Sequence, residues 1–510
     1  MLDRDPRLTR RAFVGRMLTL GGAGAAALLA ACSPAAPPAP AKPAESKPVE
    51  AKPAAQPTAA AKPAESKPAA PAAAKTSQLS MILFDGGWTP SLKIMLEKYK
   101  ADQGVEVVWD APPLSGFYQK QLSLMLAKER TPDIISSNDT ILSQYAGSGL
   151  IEPLGELLAD KSLAGEYNWD ELAERTRTAA SWSKELGQQG GVYGLPFELA
   201  TWGYFYRSDL IEKPPETFAE YLEISKKFTR SINPSSPTQF GAAAHAKQLP
   251  PQYKEWYAWM WAYGGELFDD KLNPTMNGPE AVKSLEDFYG LLLEHKAMPP
   301  DTATYSDTEK SAAFQNEVVP HVMHWAHQWS VYGDKEKSPK IADKVKFTMV
   351  PGMPGPGGQV RRVPYAQQWM FGLNPNGQNK KEAFKFIAWL TGPVGMRAWV
   401  EAGWNSPPRP SLLGDAQLKA KHPSFAVTDE AIKIGRYGPT FFKEYAQIAD
   451  SKLLPALSQV LAGSQTSKQA LDSVAADARE ILTSAGVRAT HLHATSRKAD
   501  EPSPCEARQR

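Results

Sequence analysis

The side chains best suited to engage a polar ligand follow apolar runs of strand length. They read Asp85-Gly86-Gly87-Trp88, then Asp110, then Ser136-Ser137-Asn138-Asp139. Each run offers a short polar group, and the first adds an aromatic plate. Carboxylates and amides pair with hydroxyls, and an aromatic face covers the C–H face of a ring, so the mixture suits a hydroxyl-rich ligand. Asn138 and Asp139 equally suit a helix cap, and Asp85 a turn. No catalytic motif accompanies them: there is no GxSxG, no Walker A, no HExxH and no Cys/His zinc spacing. His321, His324 and His327 are spaced by three, but Pro320 and the β-formers around them predict a strand, which sends His321 and His324 to opposite faces. Asp269-Asp270 reads as a turn, because Lys271 and Asn273 replace the acids a calcium loop needs. No metal and no cofactor are expected.

The elements that must position these groups alternate. Leu79 to Phe84, Val105 to Trp109 and Pro132 to Ile135 have strand character, and helical patterns begin at Thr89-Pro90, Phe117 and Ile141. Such alternation predicts an α/β fold with a mostly parallel sheet covered on both faces, whose ligands gather at the carboxyl ends of the strands. Gly190 to Arg207 (GGVYGLPFELATWGYFYR) predicts a flexible turn and an aromatic strand crossing between two lobes. Thr217 and Glu220 have the spacing of a capping box. In the helix from Tyr253 to Tyr263, Trp256, Trp259, Met260 and Tyr263 share one face, leaving Tyr257 and Trp261 spare for a binding surface.

The chain has 510 residues with 57 basic against 55 acidic side chains, so its length predicts two or more domains and its charge gives no reason to expect nucleic acid. Residues 1–32 read as a targeting segment: Thr9-Arg10-Arg11-Ala12-Phe13-Val14 resembles a twin-arginine export motif, and Leu29-Ala30-Ala31-Cys32 resembles a lipobox. Acylation of Cys32 would hold the protein on the outer face of a cell membrane. Residues 33–78 are an Ala/Pro-rich stalk, which stretched as polyproline II would reach roughly 130 Å. Residues 487–510 are expected to be frayed.

The order "GG-x-YGLP, aromatic strand, Pro-Pro-x-Thr-aromatic-x-Glu" resembles the extracytoplasmic solute-binding proteins of ATP-driven importers, and most closely their carbohydrate-binding branch, over residues 79 to 485. The resemblance implies a two-lobed periplasmic-binding-protein fold of type II. The first lobe would hold 79–180 and 350–391, the second 181–349 and 392–486, with crossings near Thr178, Val350 and Thr391. It also implies the site: Trp88, Trp202, Trp261, Trp325 and Trp404 would stack on sugar rings, with Tyr263 in reserve for Trp261, while Asp85, Asn138, Asp139 and Glu198 would hold hydroxyls. Gln368 and Trp369 alternate, so one of them faces the cleft. Asn405 and Arg409 are further candidates, although Arg409 could equally pin its loop. The expected partners are a carbohydrate, in the main an oligosaccharide, and a membrane permease; the protein is expected to be a monomer and not an enzyme. A surface-anchored carbohydrate-active enzyme, or the same fold with a polyol, phosphodiester or peptide ligand, are the alternatives.

Overall fold

The computed structural model describes residues 77–184, 190–439 and 441–487. The targeting segment with Cys32, nearly all of the stalk and nearly all of the tail lie outside the described residues. Among the described residues no helix is long and apolar enough to cross a membrane.

Seven strands make the main sheet: β1 (Ser77–Ile82), β2 (Val105–Asp110), β3 (Ile134–Asn138), β4 (Leu195–Arg207), β5 (His321–Trp325), β6 (Val345–Thr348) and β7 (Ala366–Leu373). Their order is β2-β1-β3-β7-β4-β5, with β6 also on β4. The first three strands are parallel, alternating with helices α1 (Thr89–Gln103) and α2 (Leu114–Leu126); β3 runs straight into α3 (Asp139–Gly147). Every later pairing is antiparallel. The sheet is therefore mixed rather than mostly parallel, because β4 and β7 cross it in opposite directions instead of being joined by covering helices.

β4 is buried at all thirteen positions. At about 3.3 Å per residue it runs roughly 43 Å, twice an ordinary strand. Leu195 and Phe197 belong to one apolar core, and Ala200, Trp202, Tyr204 and Tyr206 to another. The strand pairs with β7 over its first half and with β5 and β6 over its second. Gly203 lets it pass under Phe347: a Cβ there would lie 2.1 Å from that ring.

In the second lobe the Thr217–Glu220 capping box forms at the start of α4 (Phe218–Lys227). The aromatic helix α5 (Pro251–Tyr263) is buried on every side from Gln252 to Ala262. No face of it is spare, since C-terminal helices and Tyr365 cover the surface left for ligand: Tyr257 meets Tyr445 at 2.9 Å between hydroxyls, and Trp261 lies parallel to Tyr365. Arg361 closes its C-terminus by donating to the Ala262 carbonyl at 2.9 and 2.6 Å. Helix α6 (Asp307–Gln315) follows, with Glu309 accepting the N–H of Ser306.

The chain returns to the first lobe between Tyr365 and Trp369 and leaves it between Phe425 and Phe442. Thr391 is no crossing. It ends α7 (Lys380–Thr391), and Pro393 opens α8 (Pro393–Glu401), which folds Met396, Trp399 and Val400 back onto the same core. Residues 392–425, expected in the second lobe, thus pack with the first. The last crossing is tied to both lobes at neighbouring residues. Arg175 of the first lobe donates to the Gly435 carbonyl at 2.6 Å, while the Arg436 guanidinium pairs with Glu266 of the second at 2.7 and 2.8 Å.

Substituting Gly203→Ala should lower stability by about 1–3 kcal/mol through overpacking against Phe347. Chemical denaturation checks it, and an unchanged midpoint would mean that the ring simply swings aside.

Candidate functional site

The floor between the lobes is built around one buried ammonium. Lys254, on α5, is 2% exposed and lies 5.8 Å from the centre of the Tyr365 ring. Burial lowers its pKa. Four carboxylates oppose that: Asp139, Asp450, Asp307 and Glu198. Two come from the first-lobe side (Asp139 at the start of α3, Glu198 on β4) and two from the second. None of the four, among the described residues, is close enough to pair with the ammonium directly.

Two of these acids, Asp139 and Glu198, keep a buried oxygen without a partner. Asp139 Oδ1 accepts the Gln368 N–H at 3.0 Å, while Oδ2 has no partner. Burial pushes this carboxyl up to about 6, against the pull of Lys254. Asp450 accepts the Tyr253 hydroxyl at 3.1 Å and is exposed to solvent. Glu198 Oε1 lies 3.1 Å from His327 Nδ1, but off the line a hydrogen bond needs, so both atoms remain unsatisfied. Gln368 Oε1 is a further buried atom without a partner, while Thr140 Oγ1 and the Tyr365 hydroxyl face each other. Buried polar groups are ordinarily paired, so this concentration of exceptions marks the place where an outside polar group would be welcome.

His327 joins the lobes behind this floor. Its carbonyl accepts Asn405 Nδ2 at 2.9 Å, its ring stacks 6.4 Å from Trp404, and it lies against Gly87. It follows Trp325 by two residues, and its histidine spacing had suggested only metal chemistry. Lys254, a lone cation inside an aromatic helix, was the overlooked signal for this floor; Asp307 and Asp450 carry no local motif at all.

The predicted residues divide. Asp139 and Glu198 are brought to the floor. Asn138 is not free: its Oδ1 caps α3 through Thr140 and Ile141, and its Nδ2 donates to Tyr118. Asp85 is exposed and accepts Thr89 Oγ1 in a turn. Trp88, Trp369 and Trp404 lie in the first-lobe core. Trp88 Nε1 donates to the Phe84 carbonyl and Trp404 Nε1 to that of Phe197, while Trp369 stacks on Tyr118. Trp325 stacks on the fully buried Trp202 at 4.5 Å, and Arg436 covers Trp261 at 4.8 Å. Tyr263 turns away to donate to Asp287. Arg409 pins its loop: it donates to the carbonyls of Thr391, Asn168 and Tyr167 and pairs with Glu171 at 2.7 Å. The indoles expected to stack on sugar rings instead stack on, or are covered by, other side chains, and all five are at most 5% exposed.

His321 and His324 do point to opposite faces of β5. Burial drives the His321 pKa down to about 3. His324 meets His245 and Asp307, and the three potential metal donors lie within 4.8 Å of one another. His324 Nδ1, however, accepts the Trp325 N–H at 2.9 Å, so its proton resides on Nε2, the nitrogen a metal would need.

The fold is shared with known proteins. The family model described as bacterial extracellular solute-binding protein matches residues 86–397. A probable ABC transporter-binding protein of Deinococcus radiodurans is 26% identical over 271 residues, 51% of this chain and 62% of its own, so that match spans less than two thirds of the relative. The erythritol/L-threitol-binding protein of Mycolicibacterium smegmatis is 24% identical over 356 residues, 68% of this chain and 73% of its own. Among solved structures, maltose-bound T. maritima MalE3 superposes with a TM-score of 0.71 at 23% identity, covering 80% of this chain and 100% of that one. With the two cores, the shared crossing strands and a family match over more than half its length, the chain belongs to the bacterial extracellular solute-binding proteins, a family of binding proteins and not of enzymes.

Proposed function

We propose that this protein captures a short polyhydroxylated solute, a polyol or small sugar, by closing its lobes on the Lys254 floor, and passes it to the permease of an ATP-driven importer. The observation that carries this reading is one buried ammonium in the field of four carboxylates from both lobes, two of which, Asp139 and Glu198, keep a buried oxygen without a partner. A carboxylate only accepts hydrogen bonds and an ammonium only donates them, whereas a hydroxyl does both; neighbouring hydroxyls can therefore bridge the two kinds of group. An apolar solute would leave each buried acceptor unpaired, at about 1–3 kcal/mol apiece. A solute touching acids of both lobes favours the closed form by its differential affinity. The covered indole faces favour a small ligand over the stacked oligosaccharide expected from the resemblance. Relatives named for erythritol and L-threitol, and a neighbour bound to maltose, support this solute class. Acylation of Cys32 above the polyproline stalk would keep the receptor near its permease; mass spectrometry of membrane-extracted protein for a diacylglyceryl adduct tests that part.

A thermal-shift screen with erythritol, ribitol, D-mannitol, maltose and maltotriose is expected to raise Tm for at least one of the smaller solutes. Stabilisation by maltotriose alone would sink the short-solute reading. Asp139→Asn should weaken binding at least about tenfold while stabilising the unliganded protein. The sign follows from a folded-state pKa above the unfolded one: the charged Asp139 costs stability above about pH 6 and nothing below pH 4, so the gain should be about 2–3 kcal/mol at pH 7.5 and vanish near pH 4. Trp404→Ala should instead cost about 3–5 kcal/mol of stability, as deletion of a core indole does. A variant as stable as the wild type but unable to bind would put Trp404 back among the ligand contacts.

A further inference from the structure

Asp307 opens α6 and differs from everything behind it. Its side chain keeps 35% of its surface exposed, whereas His245, Glu255, Lys310 and His324 are sealed at 1% or less. Asp307 Oδ1 lies 3.0 Å from His245 Nε2 and 3.8 Å from His324 Nε2. The other His245 nitrogen is 3.0 Å from Glu255 Oε2, and both Glu255 oxygens take Lys310 Nζ at 2.7 Å. Trp202 shields the group, edge-on to His245 and 5.0 Å beneath Lys310 Nζ.

Two readings compete for this cluster. A metal would suit the donor spacing, and Glu255 behind His245 is the kind of carboxylate that orients a ligating imidazole. The proton on His324 Nε2 opposes it, as does the Lys310 ammonium 3.3 Å from His245 Nδ1. Without a metal, the cluster is a relay of short contacts: one His245 nitrogen lies 3.0 Å from Glu255 and the other 3.0 Å from Asp307, while His324 Nε2 faces Ser311 Oγ at 3.5 Å with the Asp307 carboxylate just beyond. The contacts to Asp307 use its Oδ1. Oδ2 is the oxygen left over, on a half-buried side chain within the fields of Lys254 and His327.

We propose that Asp307 is a specificity-determining contact of the second lobe, its Oδ1 held at 3.0 Å by His245 of the buried His245–Glu255–Lys310 relay, its Oδ2 presented to a ligand hydroxyl. The proposal rests on the solute-binding reading above. It supplies the second lobe with an acceptor in the same Lys254 field as Asp139 of the first, so that one solute is read by acids of both lobes. The relay acts on position: with one oxygen held by an imidazole that is itself fixed in the core, the carboxylate loses freedom to follow a ligand of different hydroxyl geometry. Burial alone would raise the Asp307 pKa, but His245, His324 and His327 hold it well below the usual carboxylate range, so it stays an acceptor at any pH the protein meets.

The test is Asp307→Asn in the full chain, titrated calorimetrically with erythritol, ribitol, D-mannitol and maltose beside the wild type. The variant should bind the wild type's preferred solute roughly tenfold to a hundredfold more weakly, with its discrimination among the four flattened. An unchanged Kd and ranking would overturn the proposal while leaving the solute reading intact. A wild type that binds none of the four would remove that reading, and the ligand role of Asp307 with it. The relay has its own readout in histidine-labelled protein without ligand: a ring N–H signal from His245 Nε2 that Asp307→Asn loses. Its absence from the wild type, or its broadening by one equivalent of Zn2+ alone, would replace the relay with a metal site.

Discussion

One strand that two cores must share constrains the rest of this molecule. Because β4 is buried along its whole length, neither lobe can form its sheet without fixing where the other begins. Glu198 is its fourth residue, at the irregularity in its pairing with β7 where Pro196 cannot donate a ladder hydrogen bond. The floor of the cleft is thus the stretch where the strand passes from one apolar environment to the other, and where a polar group can be held by backbone that cannot move.

The groups on that floor oppose folding. A buried ammonium, a carboxyl driven to about 6 and several buried acceptors without partners are each unfavourable in the free protein. They persist because the aromatic mass around them is large: Trp256, Trp259, Tyr257 and Phe288 on one side, Trp88, Phe197, Trp399 and Trp404 on the other. This division of labour explains why the tryptophans are so many and yet so little exposed. In the proposed reading they secure a site that they do not themselves line.

Much of the architecture was legible. The crossing strand, the capping box at Thr217 and the parallel β1–β3 unit follow from local pattern, because turn chemistry and periodicity act over a few residues. The lobe assignment of 392–425 was not, since Gly392-Pro393 ends a helix in the same way whether the chain then leaves the lobe or folds back. The site divided along the same line. Asp139 and Glu198 sit beside strand ends that sequence can locate. Lys254, Asp307 and Asp450 come from three distant segments and meet only through tertiary packing. The tryptophans misled for a physical reason: an aromatic on the second face of a helix reads as spare only if nothing covers it, and the Tyr445 segment that covers α5 lies almost two hundred residues away.

The last crossing carries a mechanical consequence. Gly435 is gripped through its carbonyl by Arg175, and Arg436 through its side chain by Glu266, so adjacent residues are anchored to opposite halves of the receptor. A swing of one half against the other would load this peptide unit together with the crossings of β4 and β7, and here it is the two guanidinium contacts that resist it.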